Sequence, residues 1–585
     1  MLSPFQRLTI GLCAAVAGLA IWAAAWWGER PIPPISLTPS PVRFQGTNAL
    51  EYTRVLAQEF PGRVTGTPGA RRAAEYLRSE FRKLGYQVES PTFSMWLHGE
   101  RVQGENIIAT WVGDTTETVA ILAHYDGQLT SYQAAEDNAS GVGVLLELAR
   151  ALRQGPRHRS LTLVATDAEE WGMIGAREMA GTLQSRHTIA VLSLDYLTAG
   201  PAPALEISCV GQFEGYTPLW LRQLLVASGR AHGARVAQAT GTAEWIERAL
   251  EISPQDQGPL LRAGIPAVNI STQSLDPEAV RARYHTVQDV FRDFDPAGFQ
   301  MLGSTVEQAV AALDTLSLPA AGSVHDFQAS SDRYLPGHLV GALQFCALLP
   351  LVIAGVLAAR NFSREEIELR GWRFFAPISW VMVPCLAVLV LYLVTWLNIL
   401  PRYELYPATP KDPFLYHLPI LVILVLAVAA GVAWRQLRKF LARVEEPPTP
   451  FGVKKRILFL WLALVIVAAY LNNPYAMWLL LGVFGYSALL LVPPRGILSR
   501  AVNAALLAAS AVPFAAMLYS FGHEIYLGWR ITWYLVLQAA YGVWTPLAVA
   551  LFLMSVVIAA QLFRIAVLGK PTNGRRKREG SGDLT

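Results

Sequence analysis

Cysteine is scarce in this chain: Cys13, Cys209, Cys346 and Cys385 are the only four among 585 residues. Three of them lie in long apolar runs, so the polar part holds a single thiol, which excludes a disulfide framework or a cysteine-ligated zinc site there. Charge is thin as well. Charged residues make up 16% of the sequence and the net charge is +4, with basic residues gathered in short connections. No broad basic stripe exists to meet a phosphate backbone, so no nucleic-acid partner is expected. What the chain has instead is apolar mass, with 53% hydrophobic residues and a mean hydropathy of +0.32. That excess places part of it in a lipid bilayer.

The apolar residues are unevenly distributed. LTIGLCAAVAGLAIWAAAWW, residues 8–27, has about the twenty residues of a spanning helix and is longer than the core of a cleaved signal peptide. It reads as an uncleaved anchor, because Leu12 is too large for lipoprotein cleavage before Cys13. Some 310 mixed residues follow. The chain is then mostly apolar from 337 to 568, with seven further spans expected near 339–359, 374–398, 414–434, 457–472, 476–492, 502–519 and 541–563. The expected organisation is an anchor (1–30), a proline-rich linker (31–45), a globular domain (46–330), a seven-span all-α membrane domain (331–568) and a basic tail (569–585).

With residue 1 inside, the inner connections and tail carry nineteen Lys and Arg against three outside. The positive-inside rule then puts both termini in the cytoplasm and the 46–330 domain beyond it. The Ala- and Arg-rich style suggests a bacterial inner membrane with that domain in the periplasm. The centres of the C-terminal spans lack ionisable residues, with His417 near an expected end, which argues for a scaffold or substrate-presenting platform over a pump.

Within the outer domain, PIPPISLTPSP (31–41) should be extended and unpacked. RRAAEYLRSEFRKLGY has Ala74, Leu77, Phe81 and Leu84 at helical spacing and then a glycine, an amphipathic helix with a stop. Beyond it, strand-length runs (TVAILA, LTLVAT, IAVLSLD) alternate with helical patterns (GVGVLLELARAL, MIGAREMAGTL). This rhythm predicts an α/β fold, a three-layer αβα sandwich around a mostly parallel mixed sheet.

Polar residues collect where the strands end, which is where α/β sheets bind ligands. His124 and Asp126 are two apart, so on an extended chain both face one way, one able to ligate a metal and the other to orient it. Asp137 precedes a helix whose Gly141 and Gly143 allow close packing against the sheet. It could simply cap that helix. Glu169 and Glu170 are adjacent and project in different directions, so one can bind a metal while the other faces a substrate. Asp195 ends a third strand, and His285 follows later. Two histidines with several carboxylates and no thiol suit a pair of zinc ions, and Asp137 fits the carboxylate that bridges them.

RVTGTPGARRAAEYL, ILAHYD, AAEDNASGVGVLLELAR, DAEEWGMIGAR, LSLDY, LRAGIPAVNIS and ARYHTVQDVF occur in this order between residues 63 and 291. Together they resemble the di-zinc aminopeptidases of metallopeptidase clan MH, a group that also holds glutaminyl cyclases, carboxypeptidases and non-catalytic receptor-like domains. The resemblance implies that His124, Asp137 and Asp195 hold one zinc ion, and Asp137, Glu170 and His285 the other. It implies that Asp126 orients His124, that Glu169 is the general base, and that Asp256 and Tyr284 contact a peptide substrate. One departure is Gln257, where the family often has His after Asp. The expected function is membrane-bound aminopeptidase activity, with a glutaminyl cyclase-like reaction or a non-catalytic peptide-binding role as the alternatives.

Overall fold

The computed structural model describes residues 26–360, 451–524 and 544–569, apart from 38–39, 98–99, 154–156 and 317–323, with scattered positions elsewhere. The chain enters its globular part through α1 (Gly46–Glu59) and α2 (Pro68–Lys83). Helix α2 starts where the Thr67 side chain accepts the Ala70 N–H and Pro68 fixes the first turn. It buries Ala70, Ala74, Leu77 and Phe81 and stops before Gly85, whose φ of +82° is a conformation glycine adopts without strain.

Eight strands build the main sheet: β1 (Gln87–Glu89), β2 (Ile107–Trp111), β3 (Thr118–His124), β4 (Ser160–Thr166), β5 (Thr188–Leu194), β6 (Leu205–Ser208), β7 (Val236–Ala237) and β8 (Ala267–Thr272). Their spatial order is β7-β6-β8-β5-β3-β4-β2-β1. The central β8-β5-β3-β4 run is parallel, while β2 joins β4, β1 joins β2 and β6 joins β8 antiparallel. The sheet is therefore mixed, with a parallel centre.

Both faces are covered, which is why the central strands read as continuous apolar runs. Val119, Ile121, Ala123, Leu161, Leu163, Leu192 and Leu194 pack towards α1, α2, α3 (Ser140–Leu152), α5 (Leu219–Ala231) and α9 (Pro296–Thr315). The alternate residues, Ala120, Leu122, Val164 and Val191, pack against α4 (Ile174–Ser185) and α7 (Gln257–Arg262). Two short helices, α6 (Thr242–Leu250) and α8 (Pro277–Arg283), complete this part. The result is the expected αβα sandwich.

Two local expectations are corrected. The proline-rich stretch is extended but packed: Ile35 and Leu37 lie against the main core, and the Ser40, Arg43 and Phe44 N–H groups donate to Gln308 and Glu307 of α9. At its start, Arg30–Pro31 pairs antiparallel with Arg333–Leu335. Proline lacks one donor, but every other residue in such a segment still needs a partner once the chain lies on the surface. Gly143 packs on a neighbouring helix, not on the sheet: a Cβ there would lie 2.2 Å from Thr53 Oγ1 and 2.5 Å from the Ala49 carbonyl of α1.

In the C-terminal part, helices run over Gly337–Arg360, Phe451–Asn472, Ile497–Glu524 and Pro546–Ala566, and another apolar helical stretch covers Pro474–Leu490. Gly337–Arg360, Ile497–His523 and Leu547–Ala566 are long and apolar enough to cross a membrane. The spans expected at 8–27, 374–398 and 414–434 fall almost wholly outside the described residues.

Candidate metal centre

Three parallel strands deliver the polar residues to one end of the sheet. His124 is the last residue of β3, Asp167–Glu170 follow β4, and Asp195 follows β5. His124 Nε2 lies 3.2 Å from Asp137 Oδ1 and 3.3 Å from Asp195 Oδ1. His285 Nε2 lies 3.1 Å from Asp137 Oδ2 and 3.0 Å from Glu170 Oε2. Each oxygen of Asp137 thus faces a different histidine. In His124, Asp137 and Asp195, and again in Asp137, Glu170 and His285, the ligand atoms all fall within 4.8 Å of one another.

Asp137 does not cap α3. It sits in the turn Ala135–Ala139 with φ −126° and ψ 90°, and its peptide bond to Asn138 is cis. Asn138 takes the capping place: its Oδ1 accepts the Gly141 N–H at 2.8 Å, and its Nδ2 donates to the Leu194 carbonyl at 2.9 Å. Gly141 is required here, since a Cβ would stand 2.4 Å from Asn138 Oδ1 and 2.7 Å from the Leu194 carbonyl. Asn138 ties the turn to the end of β5, and the Asp137 carboxylate is left for the histidines.

Asp126 has more to do than orient one ring. Its Oδ1 is 3.4 Å from His124 Nδ1, and its two oxygens also accept the Glu169 N–H at 3.1 Å and the Glu170 N–H at 3.3 Å. One buried carboxylate thereby fixes a histidine of β3 and the paired glutamates after β4. Of those glutamates, Glu170 turns to His285, while Glu169 meets the charges of His124, Asp195, Asp256 and Glu170. Tyr284 stacks on the His285 ring with centroids 3.8 Å apart and meets Tyr196 edge-on at 5.9 Å. Asp256 is buried, and its Oδ2 accepts the Thr166 hydroxyl at 2.5 Å. Gln257 is turned away, donating to the Val210 carbonyl and Ser253 Oγ. It supports a loop and leaves Asp256 where it is.

Two residues that spacing alone does not single out hold the site together. Asp289, 1% exposed, accepts the N–H groups of Ala135 at 3.0 Å and Glu136 at 2.7 Å and the Ser131 hydroxyl at 3.1 Å. It anchors the turn that carries Asp137. Arg63, also 1% exposed, donates to the carbonyls of Leu56, Phe60, Tyr125, Gln133 and Ala134. Burial pulls its pKa down to about 10, leaving it charged at neutral pH beside Asp289, Asp126 and Asp137. Both lie in the quoted motifs; Arg63 stands out as a charge ahead of the small-residue run VTGTPGA, whereas Asp289 sits among other polar residues and carries no such signal.

Burial pushes the carboxyls of Glu170 and Asp256 up to about 7 and that of Glu169 well above its usual range, with mutual repulsion adding to each. For Asp137 burial acts upward too, but the two histidines outweigh it and hold the carboxyl well below normal. Burial opposes protonation of His285, yet Glu170 and Asp137 prevail and lift it to about 10. A cluster this rich in buried carboxylates is costly unless cations offset it. Buried Glu170 Oε1 and His285 Nδ1 lack hydrogen-bond partners. Oxygen and imidazole donors without thiols are the set that zinc accepts, so the residues fit a metal centre.

The model of peptidase family M28 matches residues 106–310, the segment that spans every residue of this cluster. The chain carries an M28 peptidase domain. Over 195 residues it is 33% identical to the alkaline phosphatase isozyme conversion protein of Escherichia coli (29% of this chain, 55% of that protein). The aminopeptidase YwaD of Bacillus subtilis is 27% identical over 198 residues (33% and 40%), and a vacuolar membrane protease of Schizosaccharomyces pombe is 22% identical over 375 residues (62% and 41%). The chain spans about half the length of the curated relatives it matches. Residues 106–310 thus match a peptidase family, and three of the helices behind them are long and apolar enough to cross a membrane.

Proposed function

We propose that this chain is a membrane-bound aminopeptidase whose M28 domain removes N-terminal residues from peptides with two zinc ions. The observation that carries this reading is the placement of Asp137, with one oxygen towards His124 and the other towards His285, in two overlapping three-residue sets. His124, Asp137 and Asp195 would hold one ion, and Asp137, Glu170 and His285 the other. Zinc bound there would lower the pKa of a water and polarise the scissile carbonyl. Glu169, whose carboxyl burial drives towards accepting protons, takes the water's proton and passes it to the leaving amine. Asp126 holds His124 and both glutamate backbones in register. Asp256 and Tyr284 form walls against which the peptide rests.

The basic-residue bias supports an eight-span arrangement with both termini in the cytoplasm and the M28 domain in the periplasm of a bacterial inner membrane. Family membership by itself leaves room for a cyclase. The complete pair of ligand sets favours hydrolysis, because a cyclising enzyme needs one ion and no attacking water. Purified full-length chain should bind two zinc ions and release the chromophore from aminoacyl chromogenic substrates. A metal-to-protein ratio near one in fully active enzyme would reject the shared-bridge arrangement. Cyclisation of N-terminal glutamine without hydrolysis would reject the peptidase reading.

A further inference from the structure

The membrane helices meet the M28 domain at α6 and the loop behind it, the loop that leads to Asp256. Helix α6 is fastened into the domain by Glu244, which is fully buried and held by Arg222 at 2.9 Å and Arg248 at 2.8 Å, while the Gln328 N–H donates to it at 3.1 Å. Its outer side belongs to the C-terminal part. The Trp245 ring meets the Tyr475 ring edge-on at 4.8 Å, and Trp245 Nε1 donates to the Tyr475 carbonyl at 3.3 Å. Asn473, at the break between the helices Phe451–Asn472 and Pro474–Met477, donates to the Arg248 carbonyl at 2.9 Å and accepts the Ala476 N–H at 3.0 Å. The last carbonyls of a helix have no partner within it. Here one residue from the membrane part satisfies the end of α6 and starts its own helix.

Directly after α6, Glu251 adopts φ +50° and reverses the chain. Ile252 then turns into a cluster formed with Ile531 and Leu535, flanked by Leu518, Phe521 and Trp544. It is 5% exposed, and apart from the adjoining Leu250 its apolar neighbours in that cluster all come from the C-terminal part. Four residues on lies Asp256. The interval has no slack: the Ser253 N–H donates to Gln212 Oε1, Gln257 Nε2 donates to Ser253 Oγ, and Asp256 closes on Thr166 at the end of β4. A shift at Ile252 is therefore delivered to Asp256 and, through Thr166, to the segment that carries Glu169.

We infer that the membrane helices position the Asp256 loop: residues 473–475, with Leu518, Phe521, Ile531, Leu535 and Trp544, form a seat for α6 and Ile252 that sets the catalytic geometry of the M28 domain. This rests on the hydrolase reading above for its effect on turnover. Its effect on the loop stands apart from that reading, and the two are measured separately. In full-length protein reconstituted in nanodiscs, Asn473→Ala and Leu535→Ser change the seat from the membrane side and touch no residue of the metal centre. Leu464→Ser, on the exposed side of the Phe451–Asn472 helix, is the control.

Both seat variants should raise amide hydrogen exchange over residues 251–258 and lower kcat/KM about tenfold to a hundredfold with zinc content unchanged, as a small misplacement of a binding group does. In an Asp256→Asn background they should have little further effect, since they act through that carboxylate. Rescue by Leu535→Ile would mark packing, not polarity, as the cause. Unchanged exchange at 251–258 overturns the seat whatever the activity, and so does a loss that adds in full to Asp256→Asn. A zinc-loaded wild type without turnover overturns the hydrolase reading instead, and exchange then judges the seat alone.

Discussion

Asp289→Ala should abolish the proposed activity without removing a single proposed ligand. The Asp289 carboxylate is buried and accepts two backbone N–H groups and a hydroxyl within 3.1 Å, all from the chain on either side of Ala134, just ahead of Asp137. Each buried donor left without an acceptor costs about 1–3 kcal/mol, and more where the lost acceptor was charged. Relaxation of the turn and entry of water offset part of this, so a net loss of about 2–4 kcal/mol is expected from the same range. Because the turn carries the carboxylate shared by both three-residue sets, the loss should fall on both of the proposed ions. Supporting residues of this kind typically change metal affinity by about 10- to 100-fold. Asp289→Asn keeps one acceptor oxygen but brings an NH2 group against donors, so it should fall between. Competition with a chromophoric chelator reads zinc affinity directly, and excess zinc should restore part of the turnover of Asp289→Ala. An Asp289→Ala protein with wild-type zinc affinity and activity would refute the argument that this carboxylate sets the turn.

The paired glutamates should separate cleanly: Glu170→Ala lowers zinc occupancy and rate together, whereas Glu169→Gln keeps its zinc and loses about 100- to 10,000-fold in turnover. Zinc analysis beside turnover checks both, and a Glu169→Gln protein that sheds zinc would mean the two roles are exchanged. Gly143→Ala forces a methyl group against the Ala49 carbonyl and Thr53 of α1 and should cost about 1–3 kcal/mol, read as a lower unfolding midpoint of the M28 domain. Gly181→Ala, with nothing within 4 Å of the new methyl, should stabilise α4 by about 0.5–1 kcal/mol in the same measurement. For topology, a phosphatase fused after residue 330 should be active outside the cytoplasm and a reporter at 450 should behave as cytoplasmic. The opposite pair would overturn the eight-span arrangement.

Local pattern in the sequence determined the sandwich. The runs ending at His124, Thr166 and Leu194 are apolar on both faces and of strand length, and the helices between them carry apolar residues at helical spacing, so the rhythm and the polar residues at the strand ends could be read directly. Proximity in the chain also made Asp126 a partner for His124, two residues away. Tertiary structure decided the rest, because partners separated by long stretches of chain leave no periodic trace. Whether Asp137 or Asn138 caps α3 depends on the Leu194 carbonyl, 56 residues beyond Asn138. Asp289 reaches back 154 residues to Ala135, and the Asn473 that ends α6 lies 225 residues beyond Arg248. The proline-rich stretch looked free because its own residues offer few donors, and it is held because α9 presents Glu307 and Gln308 to those it has. Spacing records which residues share a face of one element; which buried polar group finds which partner is settled only when the elements pack and leave each donor a single acceptor within reach.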